Sequence, residues 1–375
     1  MNIYKELGVP TLINANDSET RLGGSKLPKE IRTKMYEASP FFVKITELEL
    51  KLSERIAQMT NNEACLITNG ASAGLVISVA ACLTKDDTQL IQQLPSTHNI
   101  YKNEVISFKA QRNNYDNAMR LSGAKLVEIN SNEEDLQTAI SSKTACMVYF
   151  AGDYYESKAL PFEKVVSIAK AYDIPLIVDA AANLPPVSNL WHYAEQGADL
   201  VVFSGGKTLR GPQASGVILG KRKWVDYCRL NASPNKSIGR PMKVGKEEMV
   251  GLYYAIDRYL KLDHRQVKRE QDNMLDKMIK DIKKEVPRSA VSLRKVYPAH
   301  HGQDYSRLQI NFKDAEEAGV IKVGLEAGEK PIIVNRSRDQ KSIIINPLHL
   351  EEDDVSMIIN RLVKLLNNHL AESKL

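Results

Sequence analysis

The segment SGGKTLRGPQ, residues 204–213, holds a single lysine, Lys207, in a turn bracketed by glycines. It follows the apolar run Leu200-Val201-Val202-Phe203, which is too short for a helix and is typical of a buried strand. Upstream, the apolar run at 174–178 predicts a second strand, which ends at Asp179. The sequence therefore predicts a lysine and a carboxylate at the carboxyl ends of two strands that are separated by one helix-length segment.

An acid and a lysine in this arrangement favour an enzyme that uses pyridoxal 5'-phosphate (PLP). The aldehyde of that cofactor requires an amine for a Schiff base, and its ring nitrogen requires a carboxylate to stay protonated. We therefore predict that Lys207 and Asp179 are catalytic. Taken singly, each has a simpler explanation, because most lysines in glycine-rich turns are solvated and an aspartate that ends a strand often caps the next helix. The run GPQASG at 211–216, which leads into a third apolar strand, favours the cofactor site.

Five stretches of the chain resemble the selenocysteine-synthase-like family of PLP enzymes, and within it the D-glucosaminate-6-phosphate ammonia-lyase-like branch. They span most of residues 12 to 255 and are, in chain order, INANDSETRLGGSKLP, NEACLITNGASAGL, IPLIVDAAANLPP, GADLVVFSGGKTLRGPQASGVILGKRKW and GRPMKVGKEEMVGL. The resemblance implies an α/β fold of the aspartate-aminotransferase type (fold type I) with PLP as the cofactor. It is much less specific for the substrate.

The pattern of the chain predicts a large and a small domain. Apolar strands, such as 126–129 and 145–150, alternate with helical stretches, such as 162–172, up to about residue 220. This alternation is typical of a parallel-rich sheet with crossover helices. We predict an N-terminal arm at 1–45, a large PLP-binding domain at 46–260 and a small C-terminal α+β domain at 261–375.

Composition is that of an ordinary globular protein, with 26% charged and 43% hydrophobic residues in 375. The formal net charge of +5 permits an anionic substrate, whereas no concentrated basic tract with interleaved aromatic residues indicates nucleic-acid binding. No run approaches the ~20 apolar residues that a membrane helix needs. We therefore expect a small-molecule, amino-acid-like substrate, and neither a nucleic acid nor a membrane as partner.

The cysteines indicate a reducing compartment. Cys65, Cys82, Cys146 and Cys228 lie far apart, without the Cys-x-x-Cys spacing of many metal sites. Three of them lie inside apolar runs, so we expect buried free thiols rather than disulfides or a metal site. The expected free thiols, together with the lack of a recognisable signal peptide at the start, favour a cytoplasmic protein.

Small residues at Asn69-Gly70-Ala71-Ser72 form a candidate phosphate cradle. The apolar run that follows predicts a helix, and backbone N–H groups at a helix N-terminus favour an anion. A plain helix cap is the simpler explanation. Ser204 is a candidate for a further phosphate or Schiff-base contact, or else a turn hydroxyl that bonds its own backbone.

One residue should stack on the cofactor ring, and the resemblance implies that it lies near Gln111. Relatives tend to have histidine where this chain has Gln111, and an amide cannot act as an acid or base, so proton transfer would fall more heavily on Lys207. His98 is the alternative stacking residue. Ala181 is small enough to pack against the opposite face of the ring.

Basic residues beyond the lysine suggest an anionic substrate. Arg240 and Lys243 are three residues apart, where the resemblance implies a pair of arginines that binds an anion in selenium transferases. A lysine there keeps the charge but loses the planar two-pronged donor, and a solvated surface cluster is the simpler explanation. Arg336 is the candidate for the substrate α-carboxylate, with Arg338 close to it in sequence. Arg21 is a further candidate for substrate binding, and it would reach the site from the same subunit or from a partner subunit.

We expect a PLP-dependent lyase that removes the α-proton of an amino acid or amino-sugar acid and releases ammonia and a keto acid by β-elimination. A racemase or epimerase is the alternative, although no second acid–base residue is evident. An inactive PLP-binding scaffold is a further alternative, which the substitutions at Asn16-Asp17-Ser18-Glu19 favour and the intact Lys207 opposes. Selenocysteine synthesis on tRNA is disfavoured, since the family-like sequence begins at Leu12 without an additional N-terminal domain. The resemblance also implies a homodimer.

Overall fold

The computed structural model describes residues 2–287, 291–299 and 302–372. They form two compact units. The larger unit comprises Ser25–Leu262 with residues 302 and 303, and the smaller comprises the described residues of 2–24, 263–299 and 304–372. The predicted arm is divided between them at residue 24, and the three-part division of the sequence stays a prediction.

Strands and helices are numbered in chain order. The strands are β1 (Ile13–Asn14), β2 (Ala64–Thr68), β3 (Glu104–Phe108), β4 (Lys125–Ile129), β5 (Thr144–Phe150), β6 (Leu176–Asp179), β7 (Leu200–Ser204), β8 (Gly216–Gly220), β9 (Ser292–Val296), β10 (Arg307–Asn311), β11 (Ile332–Ile333), β12 (Asn335–Arg336) and β13 (Ser342–Ile345). The helices are α1 (Ile3–Glu6), α2 (Lys29–Ala38), α3 (Ile45–Met59), α4 (Ala71–Thr84), α5 (Thr88–Gln93), α6 (Asn117–Leu121), α7 (Glu133–Ala139), α8 (Asp153–Glu156), α9 (Phe162–Ala171), α10 (Asn189–Gln196), α11 (Arg222–Asn231), α12 (Lys246–Lys261), α13 (His264–Glu285), α14 (Ala315–Glu326) and α15 (Glu352–Glu372).

The larger unit is built on a seven-stranded sheet with the order β2-β8-β7-β6-β5-β3-β4. Strand β8 runs antiparallel to β2 and β7, and the remaining neighbours are parallel. Strand β5 is buried along its whole length, as expected for a strand covered on both faces. The predicted α/β fold with a parallel-rich sheet is confirmed.

Helix α4 occupies the centre of one face of this sheet. It is apolar all round, and its residues from Ala73 to Thr84 are buried, which is typical of a helix enclosed in the core. A Cβ at Gly74 would lie 2.7 Å from Cγ1 of Val202 in β7. Glycine at this position therefore lets α4 pack closely on the strand that leads to Lys207. The four cysteines are free and buried, as predicted.

The smaller unit has an α+β architecture. Its four-stranded antiparallel sheet has the order β12-β13-β10-β9, and β1 pairs in parallel with β11. The apolar sides of α13, α14 and α15 share one core with the sheet residues Leu308, Ile310 and Ile343. Across the part of the chain that the structure describes, no helix combines the length and apolar character needed to cross a membrane.

Candidate active site

The sheet of the larger unit aligns the predicted residues along one edge. Asp179 ends β6 opposite Val202 of β7, and Ser204 ends β7 two residues farther along. Ser204 lies opposite Gly216 of β8, which in turn lies opposite Thr68 of β2. Because β2, β6 and β7 run in the same direction, their carboxyl ends meet at this edge. Asp179, Ser204 and the segment after Thr68 are therefore brought together.

Lys207 lies in the turn that follows β7. The Arg210 N–H donates to the Lys207 carbonyl at 2.9 Å, and Arg210 adopts a left-handed φ of +55° that ends the turn. The Thr208 hydroxyl donates to the Leu184 carbonyl at 2.9 Å, which ties this turn to the loop after Asp179. The strand end and this anchor hold the half-buried lysine at the sheet edge rather than on a free loop.

Close packing against α12 explains one of the glycines beside the lysine. A Cβ at Gly205 would lie 2.1 Å from Oγ of Ser215 and 2.7 Å from Cδ1 of Leu252 in α12. The Gly205 N–H also donates to the Ser215 carbonyl at 2.9 Å. The lysine turn therefore rests directly on α12, and a side chain at 205 would push it away.

Among the described residues the Asp179 carboxylate forms no direct ion pair, although the charge of Lys207 acts on it. Burial raises its pKa, whereas the hydrogen bond from the Ala181 N–H, at 3.0 Å, and the charge of Lys207 lower it. Within residues 2–287, 291–299 and 302–372, no further hydrogen bond reaches this carboxylate. A protonated ring nitrogen would add a positive charge directly beside this carboxylate. Asp179 therefore fits the pyridine ring of PLP.

The start of α4 fits the phosphate of the same cofactor. Gly70 is the N-cap, with a φ of +142° that favours glycine, and across the described residues no side chain bonds the first N–H groups of the helix. The Thr68 hydroxyl donates to the Gly70 carbonyl at 3.0 Å, which fixes the turn. Uncapped N–H groups at the N-terminus of a 14-residue helix form an anion site, which lies at the sheet edge beside Ser204.

Gln111 does not offer a surface for ring stacking. Its amide oxygen accepts the Phe150 N–H at 3.0 Å, and its amide nitrogen donates to the carbonyls of Phe150 at 3.1 Å and Tyr155 at 3.3 Å. The residue is 0% exposed. Both ends of the amide bond backbone groups and the residue is fully buried, so a stacking contact of Gln111 with the cofactor ring stays a prediction that these contacts disfavour. Instead it braces the end of β5, next to β6.

His98 lies at the opposite edge of the sheet. It is exposed and lines a surface cleft of about 420 Å³ together with Glu104, Lys125 and Lys143. Those residues lie at or just before the amino ends of β3, β4 and β5. Because Lys207 follows the carboxyl end of a parallel strand, His98 cannot be the stacking residue. Ala181 stays a prediction for the ring face, supported by its position two residues beyond Asp179.

Arg240 and Lys243 lie exposed in the segment between α11 and α12. In the described part of the chain neither side chain forms an ion pair or hydrogen bond. Lys246 fixes the end of this segment, because its ammonium donates to the carbonyls of Ala38 at 3.2 Å and Ser39 at 2.8 Å. The two cations are therefore open to an external anion, and the helix that follows them carries the lysine turn.

Two other predicted substrate residues belong to the smaller unit and have partners of their own. Arg336 donates to the Ala315 carbonyl at 2.5 Å and to the Gln340 carbonyl, so its guanidinium braces α14 and the adjacent turn. Arg21 is exposed and pairs with Glu19. Arg336 as a carboxylate contact and Arg21 as a residue of the site stay predictions, and the bonds of Arg336 to two carbonyls disfavour the first.

The sequence reasoning missed Gln303. Its amide nitrogen donates to the Ala182 carbonyl at 2.9 Å and lies 3.4 Å from the Leu184 carbonyl. It therefore holds the loop between Asp179 and the anchor of the lysine turn. No local motif marks Gln303, which is separated from this loop by about 120 positions, so only the fold reveals the contact.

Comparisons with known proteins identify the family to which the chain belongs. The family model for L-seryl-tRNA selenium transferase matches residues 44–316. The chain belongs to this family. It is 36% identical over 267 residues to D-glucosaminate-6-phosphate ammonia lyase of Salmonella typhimurium, a match that covers 69% of this chain and 70% of the relative. It is 30% identical over 385 residues to 5'-C-glycyluridine monooxygenase-decarboxylase of a Streptomyces species, a match that covers 98% of this chain and 92% of the relative.

A solved structure extends the likeness to the whole fold. The structure of a D-glucosaminate-6-phosphate ammonia-lyase aligns with a TM-score of 0.84 at 29% identity, and covers 98% of this chain and 99% of that one. The chain is therefore a PLP-dependent enzyme of fold type I, as the five sequence stretches predicted. Which reaction it catalyses depends on the residues around the cofactor.

Proposed function

We propose that this protein is a PLP-dependent ammonia-lyase that acts on an amino-sugar acid. The observation that carries the proposal is the half-buried Asp179 carboxylate, which has one backbone donor and the charge of Lys207 near it at the same sheet edge. The likeness to the ammonia lyase of Salmonella typhimurium supports the substrate class.

Four parts of the chain would hold PLP. Lys207 supplies the amine, Asp179 the partner of the ring nitrogen, and the start of α4 with Ser204 the donors to the phosphate. When bound, PLP withdraws electrons from the substrate and so makes its α-proton acidic. Asp179 keeps the ring nitrogen protonated, because its half-buried carboxylate gains a directly bonded cation in that state.

Lys207 moves the proton. Once its amine is free, it is the candidate base for the α-proton, and such a base contributes roughly 10²–10⁴-fold to the rate. Gln111, whose amide bonds the backbone of Phe150, carries no titratable proton and so cannot share this role. A single base that removes the proton and returns it to the departing group is sufficient for elimination. Two-base racemisation requires a second proton donor on the opposite face, and among residues 2–287, 291–299 and 302–372 we assign that role to none.

The substrate anion is proposed to bind Arg240 and Lys243. Both side chains are exposed and open to an external ligand, and a phosphate suits one planar guanidinium beside one point charge. An amino-sugar acid that carries a phosphate, such as the D-glucosaminate 6-phosphate for which the Salmonella relative is named, would place a negative group against them.

A second candidate is an oxidative decarboxylation. The Streptomyces monooxygenase-decarboxylase matches 98% of this chain, a larger share than the 69% matched by the Salmonella ammonia lyase. The proposed roles of Lys207 and Asp179 suit both reactions. Oxygen uptake separates them, since elimination uses no O₂.

We further propose a cytoplasmic homodimer. Phe41 and Phe42, between α2 and α3, are 66% and 104% exposed, and Val43 beside them is half exposed. Contiguous apolar side chains this exposed are typical of a protein interface. Light scattering on the purified protein gives the mass, and a monomer at micromolar concentration would contradict the dimer.

The test of function is proton NMR of the PLP-loaded enzyme in deuterated water with D- and L-amino acids, amino-sugar acids and their phosphates. We expect a keto acid and ammonia from an amino-sugar acid. Exchange of the α-proton without product would identify a racemase, and O₂ uptake with CO₂ release would identify the decarboxylating oxygenase. Either result would contradict the lyase.

A further inference from the structure

The residues Asn16-Asp17-Ser18-Glu19, which the proposed function does not use, form a loop of the smaller unit between β1 and the turn at Thr20–Leu22. Within this loop, the Asp17 carboxylate is bound by one guanidinium side chain and one amide side chain. Oδ1 accepts hydrogen bonds from Arg307 Nη2 at 2.7 Å and from Asn346 Nδ2 at 2.8 Å, and Oδ2 lies 3.3 Å from Arg307 Nη1. This is a two-pronged guanidinium contact with an added amide donor, the arrangement that suits a carboxylate.

These donors are fixed in the sheet. Arg307 begins β10 and Asn346 follows β13, and the two strands are paired through Leu308 and Ile345. The Tyr305 hydroxyl accepts from Arg307 Nη2 at 3.2 Å and from Asn346 Nδ2 at 3.3 Å, so it orients both donors. The cluster is therefore rigid before any carboxylate binds.

The two sides of the contact differ in exposure. The Arg307 side chain is 6% exposed, whereas that of Asp17 is 35% exposed, and Tyr305 and Asn346 are buried. The position of the carboxylate thus opens to solvent, while the groups that bind it lie behind. Burial by itself lowers the pKa of Arg307, but Tyr305 and Asp17 raise it above its usual value. A buried guanidinium of this kind requires an anion.

The loop is also held without the Asp17 carboxylate. On one side the Asn346 N–H donates to the Ala15 carbonyl at 2.9 Å. On the other side the Ser18 hydroxyl lies 2.6 Å from Nε2 of His349. Removal of the carboxylate would therefore leave a preformed space in front of Arg307 rather than a detached loop.

We propose that Arg307, Asn346 and Tyr305 form a carboxylate-binding site that Asp17 occupies as an internal ligand. A small monocarboxylate from solvent binds the same position when the Asp17 carboxylate is removed or displaced. The donors determine the class of ligand. The ligand must carry one planar anionic group and be small enough to replace a side-chain carboxylate.

The test is thermal unfolding of the full-length, PLP-loaded Asp17→Ala variant over a series of sodium formate concentrations. Sodium chloride keeps the ionic strength constant, and formamide serves as a neutral molecule of the same shape. We expect Asp17→Ala to unfold several degrees below the wild type, and formate to restore most of that difference in a saturable way. Formamide and chloride should leave the melting temperature of Asp17→Ala unchanged.

Two variants control for other effects. Glu19→Ala removes the other carboxylate of the loop, which pairs with the exposed Arg21, and should show no formate effect. Asp17→Ala combined with Arg307→Met should lose the effect. The proposal is overturned if folded Asp17→Ala gains nothing from formate beyond chloride, or if the double variant responds equally. If Asp17→Ala aggregates, the readout becomes the yield refolded with and without formate, and an unchanged yield is the contrary result.

Discussion

Gly216 of β8 lies against Gly70 at the start of α4: a Cβ at position 216 would be 2.6 Å from the Gly70 carbonyl carbon and 2.9 Å from the Ala71 nitrogen. Real Cβ atoms do not approach backbone atoms so closely. Because Gly216 also pairs with Thr68 and with Ser204, its missing side chain lets the candidate phosphate cradle approach the strand that leads to Lys207.

Gly216→Ala should therefore weaken cofactor binding. The methyl group would force the α4 turn away from β8, and overpacking of this kind costs roughly 1–3 kcal/mol, or about 5- to 150-fold in affinity. The measurement is a PLP titration of the apoprotein by absorbance. Gly319→Ala in α14 is the matched control, because its Cβ would meet only Nη1 of Arg336, at 3.6 Å. Unchanged PLP affinity of Gly216→Ala would place the phosphate elsewhere.

The sequence was sufficient to place Lys207 and Asp179 at the same edge of the sheet. Lys207 and Asp179 each follow a short apolar run, and parallel strands bring their carboxyl ends to one edge, so local pattern determines both positions. The predicted strand at 145–150 and helix at 162–172 likewise match β5 and α9 to within a residue. These elements depend on periodicity and on glycine or proline boundaries, which are local properties of the chain.

The sequence could not predict contacts between distant positions. Gln111 was expected to face the cofactor, yet the backbone that its amide bonds belongs to Phe150, 39 positions away. Likewise Asp17 meets Arg307 across 290 positions. His98 was within reach of sequence reasoning, because a residue just before a parallel strand lies at the opposite edge from residues that follow one.

Lys207→Ala should reduce turnover by at least about 10²–10⁴-fold, since the substitution removes the amine and the base together. Borohydride reduction of the wild type followed by peptide mapping should attach the cofactor at residue 207. Lys221→Ala is the control on the same sheet. Its half-exposed ammonium pairs with Asp199 at 2.8 Å at the far end of β8, so its loss costs about 0–1 kcal/mol of stability and no activity. Cofactor attached to another lysine would contradict the assignment.

Asp179→Asn should make the apoprotein more stable while it abolishes turnover. Burial raises the pKa of Asp179, so the folded apoprotein binds this proton more tightly than the unfolded chain does. Ionisation of Asp179 therefore lowers the free energy of unfolding of the apoprotein. This loss is absent below the pKa that Asp179 has in the unfolded chain, and it is complete above the pKa that Asp179 has in the folded protein.

The gain in melting temperature of Asp179→Asn apoprotein should accordingly appear as the pH rises above the usual range of an aspartate pKa, and vanish below that range. Asp226→Asn, an exposed acid beside Arg229, serves as the control and should change stability little at any pH. A melting temperature of Asp179→Asn that lies below the wild-type apoprotein at neutral pH would show that the carboxylate already has a compensating partner.

Gln111→Ala should destabilise the apoprotein and the PLP-loaded protein by similar amounts. The substitution leaves the N–H and carbonyl of Phe150 buried without their partner, at a cost of roughly 1–3 kcal/mol each. Thermal unfolding of both forms measures the loss. Should the apoprotein be unaffected and only PLP affinity fall, Gln111 would be the stacking residue after all.

Arg240→Ala should raise the KM for a phosphorylated substrate roughly 10-fold or more and leave kcat nearly unchanged, because the lost contact lies away from the reacting bond. The effect should weaken as salt is added, since an exposed charge is screened. Arg240→Lys tests the two-pronged contact, and should recover only part of the loss. Lys236→Ala, an exposed lysine of the same segment, is the matched control and should leave KM unchanged. If Arg240→Ala and Lys236→Ala raise KM equally, the segment attracts the substrate only through its general charge, and Arg240 does not bind the phosphate.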